Sequence, residues 1–239
     1  ARKVNERWKS LVPEAVSLGL LPKSPTASQV AALLRSNPAI DKEVLGDFLS
    51  EEPERYPFNA EVREAFTGTF DFRGQSLVGA LRQYLAAFKL PGEAQKIDRM
   101  MESLARRLFQ QAPGPMKTQD AVFVLAFSVI MLNTDLHNPN IKPERKMTKE
   151  GFIRNCEGIK DGRDFPRDFL ERIFDRIDSN PISLREDDEA RAREAQTSSG
   201  GFFDSTARRR RHAFDRERRE ILRATSTRLV AAVKAPGGG

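Results

Sequence analysis

Along most of its length the chain sets short blocks with apolar residues every three or four positions between breaks rich in Pro, Gly, Asn and Asp. That spacing predicts a string of short amphipathic helices, and no period-two pattern marks a strand. The first block runs from about Lys3 to Leu18, with Trp8, Leu11, Val12 and Val16 on one stripe. Pro13 falls inside it and is expected to kink or divide it. A second block follows Pro25, with Val30, Leu33 and Leu34. A third follows Asp41, a good N-cap, with Val44, Leu45, Phe48 and Leu49 facing inward. A fourth is expected near Asn59. A fifth from about Ser76 places Leu77, Leu81, Tyr84, Leu85 and Phe88 at helical spacing. A sixth follows Pro91-Gly92, with Ile97, Met100, Met101, Leu104 and Leu108 on its buried face, and Pro113 and Pro115 end it.

The seventh block differs in kind. From Val122 to Leu132 it leaves no polar face, and such a helix is normally enclosed by its neighbours. It turns polar abruptly at Asn133-Thr134-Asp135-Leu136-His137-Asn138-Pro139-Asn140. Two shorter helices are expected from about Thr148 and from about Pro166, the latter with Phe169, Leu170, Ile173 and Ile177. Compact organisation is expected over residues 1–181. Residues 182–201 are charged, then Ser/Gly-rich, and read as a linker. Residues 202–234 read as one charged amphipathic helix on Phe214, Ile221, Leu222, Leu229 and Val233. Residues 235–239 read as a disordered end. The fold class is therefore all-α with a charged C-terminal helix. No repeat of 20–50 residues suggests a solenoid.

Composition narrows the chemistry. The 239 residues are 39% hydrophobic and 31% charged, enough for one core and a solvated appendage. The single cysteine, Cys156, excludes an internal disulfide and suits a reducing compartment. With only His137 and His212 beside it, no four-ligand zinc site can be built, so no metal is expected. The longest apolar run, Ala121–Leu132, is shorter than the roughly 20 residues a membrane span needs. No leader peptide is expected at the start, and the Ala and Gly ends suggest a piece of a longer chain. The net charge is +6. Of this, +4 lies from Arg185 onward (13 basic, 9 acidic), so the body is near neutral and no nucleic-acid surface is expected there.

Two segments stand out. Pro91-Gly92-Glu93 before a helix is, alone, an ordinary turn followed by an acid at the positive helix end. The polar run from Asn133 is, alone, an ordinary helix exit. Asp135 beside His137 invites an acid–base reading, but no Ser or Cys nucleophile accompanies them.

Together the segments say more. Leu90-Pro-Gly-Glu-Ala-Gln-Lys-Ile-Asp98, followed by Ile130-Met-Leu-Asn-Thr-Asp-Leu-His-Asn-Pro-Asn140, resembles the two signature motifs of the Sec-seven domain, the Arf guanine-nucleotide exchange family. Gly19-Leu20-Leu21, Ser24-Pro25, Phe70-Asp71-Phe72 and Gly158-Ile159 fall where similar elements lie, so the resemblance covers about Val4 to Ile177. Lys142–Met147 is slightly extended relative to the family pattern.

The resemblance implies a right-handed superhelix of about ten helices, with a hydrophobic groove that receives the switch regions of an Arf-family small GTPase. It implies that Glu93 is the catalytic glutamic finger, supported by Leu90, Pro91, Gly92, Ala94, Gln95 and Lys96. Phe127, Ile130, Met131, Asn133, Asp135, His137 and Asn138 would line the groove. For a helix apolar all round, a core position is an equal expectation for Phe127, Ile130 and Met131. The chain would hold no cofactor, since Mg²⁺ and GDP or GTP belong to the partner. It would be cytoplasmic and recruited peripherally to Golgi or endosomal membranes, in vesicle-mediated transport. A non-catalytic helical scaffold for a GTPase or a membrane is the alternative. Arg208–Arg211 leaves three readings open: a membrane-surface patch, a localisation signal or a solvated helix face.

Overall fold

A computed structural model describes residues 4–139, 141–158 and 164–182, and they are helical, with no strand among them. Nine α-helices and two 3-10 segments follow in order among the described residues. They are a 3-10 segment Val4–Ser10, α1 (Leu11–Ser17), α2 (Ala27–Ser36), α3 (Lys42–Leu49), α4 (Pro57–Gly68), α5 (Leu77–Leu85), α6 (Ala94–Gln111), α7 (Gln119–His137), a 3-10 turn Pro143–Arg145, α8 (Lys149–Asn155) and α9 (Arg167–Ser179). The expected linker (182–201, of which only Ile182 is described), charged helix (202–234) and end (235–239) otherwise lie outside the described residues, as does Arg208–Arg211.

Local chemistry sets most helix starts. Thr26 and Gln29 form a reciprocal capping box at α2. Asp41 accepts from Glu43 N at α3 (2.8 Å), and Ser76, Thr118 and Thr148 cap α5, α7 and α8 in the same way. Two boundaries differ from expectation. The first block does divide, but between Ser10 and Leu11. Pro13 is the third residue of α1, where a helix leaves the N–H unpaired anyway, so it does no damage. α4 begins at Pro57, two residues before Asn59. α1 ends in a Schellman motif: Gly19 at φ 72° lets its N–H reach Val16 O and the Leu20 N–H reach Ala15 O.

The seventh helix also runs further than its apolar stretch. α7 continues through Asn133–His137 and stops only at Asn138, whose N–H still bonds Thr134 O. Pro139 disfavours helical backbone for the residue before it, and Asn138 is extended. At 19 residues α7 is long and apolar enough to cross a bilayer on length and composition alone. In the folded chain, however, 61% of that apolar window is buried within the protein, as a core helix requires.

The chain divides into two compact units, one over residues 4–114 with Ile182 and one over the described part of 115–181. In the first, α2 and α3 pack on α4, which packs on α6, and α5 packs on α6. An aromatic cluster fills its centre: Tyr84 lies edge-on to Phe70 and Phe88 (5.2 and 5.0 Å), and Phe66 to the same two rings. The buried Tyr84 hydroxyl pairs with Thr67 (2.9 Å).

A polar network surrounds the last turn of α3. Asn59 Nδ2 donates to Phe48 O (3.0 Å), Arg63 Nη1 to Leu49 O (3.0 Å) and Glu51 O (3.3 Å), and Arg99 Nη1 to Ser50 O (2.9 Å). Those of Phe48, Leu49 and Ser50 are carbonyls a helix end leaves without internal partners, and Glu51 lies just past that end. Arg63 is only 7% exposed, and burial pulls its pKa below the usual value despite Glu64 nearby.

In the second unit α7 and α8 both pack on α9. Phe152 and Cys156 are buried, with Leu170, Ile173, Phe174 and Ile177 of α9. Burial pushes the Cys156 thiol up to about 12, against a smaller opposing pull from Ser128.

Two outcomes follow. Arg63→Met leaves buried carbonyls without donors and is expected to cost about 3 kcal/mol, whereas Arg106→Met removes only a half-exposed pair with Glu64 and costs less than about 1 kcal/mol. Urea titrations of the two variants compare them directly, with an equal loss for both ruling out the network as a keystone. Cys156, as an enclosed neutral thiol, stays unlabelled by maleimide at pH 8 in the native chain and is labelled on unfolding, which mass spectrometry reads.

Candidate functional site

The first signature segment enters α6 from a loop held on both sides. Upstream, Phe88 is anchored in the aromatic cluster, and the Lys89 N–H donates to Lys42 O (2.9 Å) at the start of α3. Lys42 Nζ in turn donates to Ala86 O (2.7 Å). The Lys89 carbonyl lies so close over Gly46 that a Cβ there would meet its oxygen at 1.9 Å. A mid-helix glycine costs about 1 kcal/mol relative to alanine, and here that close approach explains its presence. Downstream, Lys96 Nζ pairs with Glu51 (2.9 Å) and Asp47 (3.7 Å), all mostly enclosed.

Between these holds, Leu90 and Pro91 are buried while Gly92 and Glu93 are exposed. Glu93 occupies the N-cap position of α6 with extended backbone (φ −90°, ψ 127°). Its main-chain carbonyl accepts from the Lys96 and Ile97 amides (both 3.0 Å), but its side chain makes no capping bond. The carboxylate is thus presented outward at the positive end of an 18-residue helix. Gln95 is also exposed, and the side chain of Ala94 lies outside the described residues.

The second segment ends α7, and the structure sorts its residues by direction. At 100° per residue, Phe127, Ile130, Met131 and Asn138 share one stripe. Phe127 and Ile130 retain 8% and 6% exposure, Met131 and Asn138 more. Asn133, expected along a groove, sits about 240° round the helix from Phe127 and is fully enclosed. Asp135 and His137 turn toward their own unit. The Asp135 carboxylate accepts from the Met147 N–H, and His137 Nε2 lies 2.7 Å from Ile177 O. A carbonyl only accepts, so Nε2 carries the proton. Lys146 Nζ donates to Leu136 O (2.6 Å). These contacts tie residues 146–147 and the end of α9 to the end of α7. No nucleophile adjoins Asp135 or His137 in these contacts. No cluster of three or more His, Cys, Asp or Glu side chains suited to a metal occurs among the described residues.

Comparison with known proteins decides what this pairing of segments belongs to. The Sec7 domain profile matches residues 1–182. The chain belongs to the Sec7 domain family. It is 43% identical over 180 residues to the ADP-ribosylation factor guanine nucleotide-exchange factor SEC7 of Saccharomyces cerevisiae. That match takes in 75% of this chain but 9% of the yeast protein, so the chain spans about a tenth of that relative. Among solved structures, the Sec7p catalytic domain aligns at 43% identity with a TM-score of 0.67, covering 74% of this chain and 91% of that one. A Sec7 domain bound to ARF1-GDP and brefeldin A aligns at 33% identity and 0.67, covering 77% and 91%.

Within the Sec7 domain, the braces on the Glu93 loop were invisible to sequence reasoning, Lys96 excepted. Lys42, Gly46, Asp47 and Glu51 lie about forty-five residues before their partners, and nothing local marks them. The mid-helix Gly46 in an apolar-periodic block is the one exception, a signal that sequence reasoning did not use.

The Asp135 bond yields a direct outcome. Asp135→Ala removes the acceptor for the Met147 amide and is expected to cost about 1–2 kcal/mol. It should also speed limited proteolysis within residues 141–148. Unchanged cleavage there would show that the carboxylate does not hold this segment.

Proposed function

We propose that this Sec7 domain is a guanine-nucleotide exchange domain for an Arf-type small GTPase, and that Glu93 is the residue that dislodges the nucleotide. The observation that carries the proposal is an exposed carboxylate without a capping bond, at the head of α6, on a loop braced at both flanks. Support comes from the yeast relative, named as an ADP-ribosylation factor exchange factor, and from the solved Sec7 domain bound to ARF1-GDP.

The chemistry is displacement, with no bond made or broken. A bound nucleotide is held by Mg²⁺ and by a lysine at its phosphates, both supplied by the GTPase. A carboxylate brought to that site competes for the lysine and repels the phosphates. Two unit charges 4 Å apart interact by about 4 kcal/mol at an effective dielectric near 20, against about 1 in water. Since every 1.4 kcal/mol is about tenfold, one carboxylate shielded from water shifts nucleotide affinity by orders of magnitude. Glu93 needs neither an acid nor a base role. Phe127, Ile130 and Met131 on α7 supply apolar contact, and Asn138 at its C-cap a polar one, to the switch loops, which rearrange readily in small GTPases. Asp135 and His137 shape that surface through the segments they tie down. The setting we assign is cytoplasmic, with peripheral recruitment to Golgi or endosomal membranes and a role in vesicle traffic. Arg208–Arg211 is the candidate membrane contact.

The test is release of fluorescent GDP from an N-terminally truncated Arf. The wild-type chain accelerates release, and Glu93→Lys loses on the order of a hundredfold or more while keeping its helical circular dichroism and its affinity for the GTPase. A variant that retains the wild-type rate removes Glu93 from the mechanism; one that loses its helicity makes Glu93 structural.

A further inference from the structure

We infer that α3, through its Gly46 and through the ion pairs that hold Lys96 of α6, is the rail that sets where Glu93 stands, so that Gly46 and Lys96 are positioning residues for exchange; this rests on the exchange function proposed above. The geometry is specific to one helix. α3 spans eight residues, about 12 Å at 1.5 Å per residue. Its first residue, Lys42, accepts the Lys89 amide through its carbonyl and reaches back to Ala86 O through its ammonium. Its fifth, Gly46, lies under the Lys89 carbonyl with no room for a methyl group. Its sixth, Asp47, and the nearby Glu51 grip Lys96, and Arg99 closes onto Ser50 O one turn further along α6. Both ends of the segment from Lys89 to Lys96 are therefore registered against the same short helix. Gly92, Glu93 and Gln95 are exposed, while Leu90 and Pro91 are buried.

The two contacts do different things. The Gly46 notch sets depth: the Lys89 backbone can lie against α3 only because no side chain intervenes. The Lys96 ion pair sets register along α6, because it fixes the first turn whose N-cap is Glu93. Neither residue reaches outward with the finger, so both act through position. A displacement of about 1 Å at a reacting group can cost on the order of a hundredfold in rate, and the notch controls a movement of that size.

The experiment compares Gly46→Ala, Lys96→Met and Lys96→Arg with the wild-type chain, and with Gly68→Ala as control, since a Cβ at Gly68 meets nothing within 4 Å. Exchange is measured against GTPase concentration, so that kcat and KM separate. Gly46→Ala and Lys96→Met are expected to lower kcat by ten- to a hundredfold, on the order of what a small misplacement costs, with KM within about twofold. Lys96→Arg should restore most of the rate by remaking the pair with Glu51, and Gly68→Ala should match wild type. Rates for Gly46→Ala and Lys96→Met equal to wild type, in folded variants, overturn the inference. So does a loss for Lys96→Met that Lys96→Arg does not rescue. If Gly46→Ala fails to fold, the two Lys96 variants decide. Hydrogen exchange gives a readout without a GTPase: the Lys89 amide, bonded to Lys42 O, should lose protection in Gly46→Ala. Unchanged protection there overturns the inference, even if the wild-type chain proves inactive and the proposed function falls.

Discussion

The C-terminal turn of α3 is the constraint on which the first unit depends. A helix end leaves its last carbonyls unpaired, and in a buried setting each must find a donor. Here Phe48, Leu49 and Ser50 present three such oxygens and Glu51, just past the helix, a fourth carbonyl, and Asn59, Arg63 and Arg99 supply the donors from α4 and α6. Three helices are thereby locked by one polar knot whose geometry is directional, unlike the apolar contact around it. Arg63 is buried at a cost that burial itself reports, since enclosure lowers the pKa of a guanidinium. Its bonds to two main-chain oxygens and to Ser103 offset that cost.

The same knot reaches the functional loop. Lys96 and Arg99 stand one turn apart on α6 and both close on the end of α3. The loop before α6 is fixed by this junction on one side and by the Lys42–Lys89 bond and the Gly46 approach on the other. In the exchange mechanism proposed above, a displacing carboxylate must not collapse onto its own helix. Glu93 stands at the N-cap position, which the shorter Ser, Thr, Asp or Asn ordinarily fill, and its side chain makes no capping bond. Its main-chain carbonyl takes the Lys96 and Ile97 amides, and its carboxylate stays exposed. The second unit follows another logic: α7 is apolar nearly all round, so its length is covered by protein. Between Asp120 and Asn133 its one polar side chain is Ser128, which bonds Val124 O, and in its last turns Asp135, Leu136 and His137 bond neighbouring segments.

Much of this was legible in the residues themselves. Helix starts at Asp41 and Ser76 follow from one side chain and the amides two or three residues on, which is local chemistry. The two signature segments identified the family because each is long and they occur in order, and Glu93 stood out by its place in the first. Boundaries were less legible. The polar residues after Leu132 read as an exit, but the helix continues until Pro139 forces extension at Asn138. Pro13 read as a break, but it occupies a turn where its missing N–H is harmless.

What the sequence by itself determined is therefore the helical content, the caps, the apolar faces and the identity of the exposed acid, all governed by interactions within a few residues. What only the tertiary structure decided is which groups hold that acid in place and which way the end of α7 faces. Gly46 gains its meaning only when Lys89 lies over it. Lys96 becomes a latch only when Glu51, forty-five residues earlier, is brought beside it. Asn133, Asp135 and His137 looked alike as polar residues after an apolar helix, yet one is enclosed and two are bonded inward. The physical reason is the same in each case: these roles depend on contacts that the chain closes only on folding, and no local propensity encodes the distance between the partners.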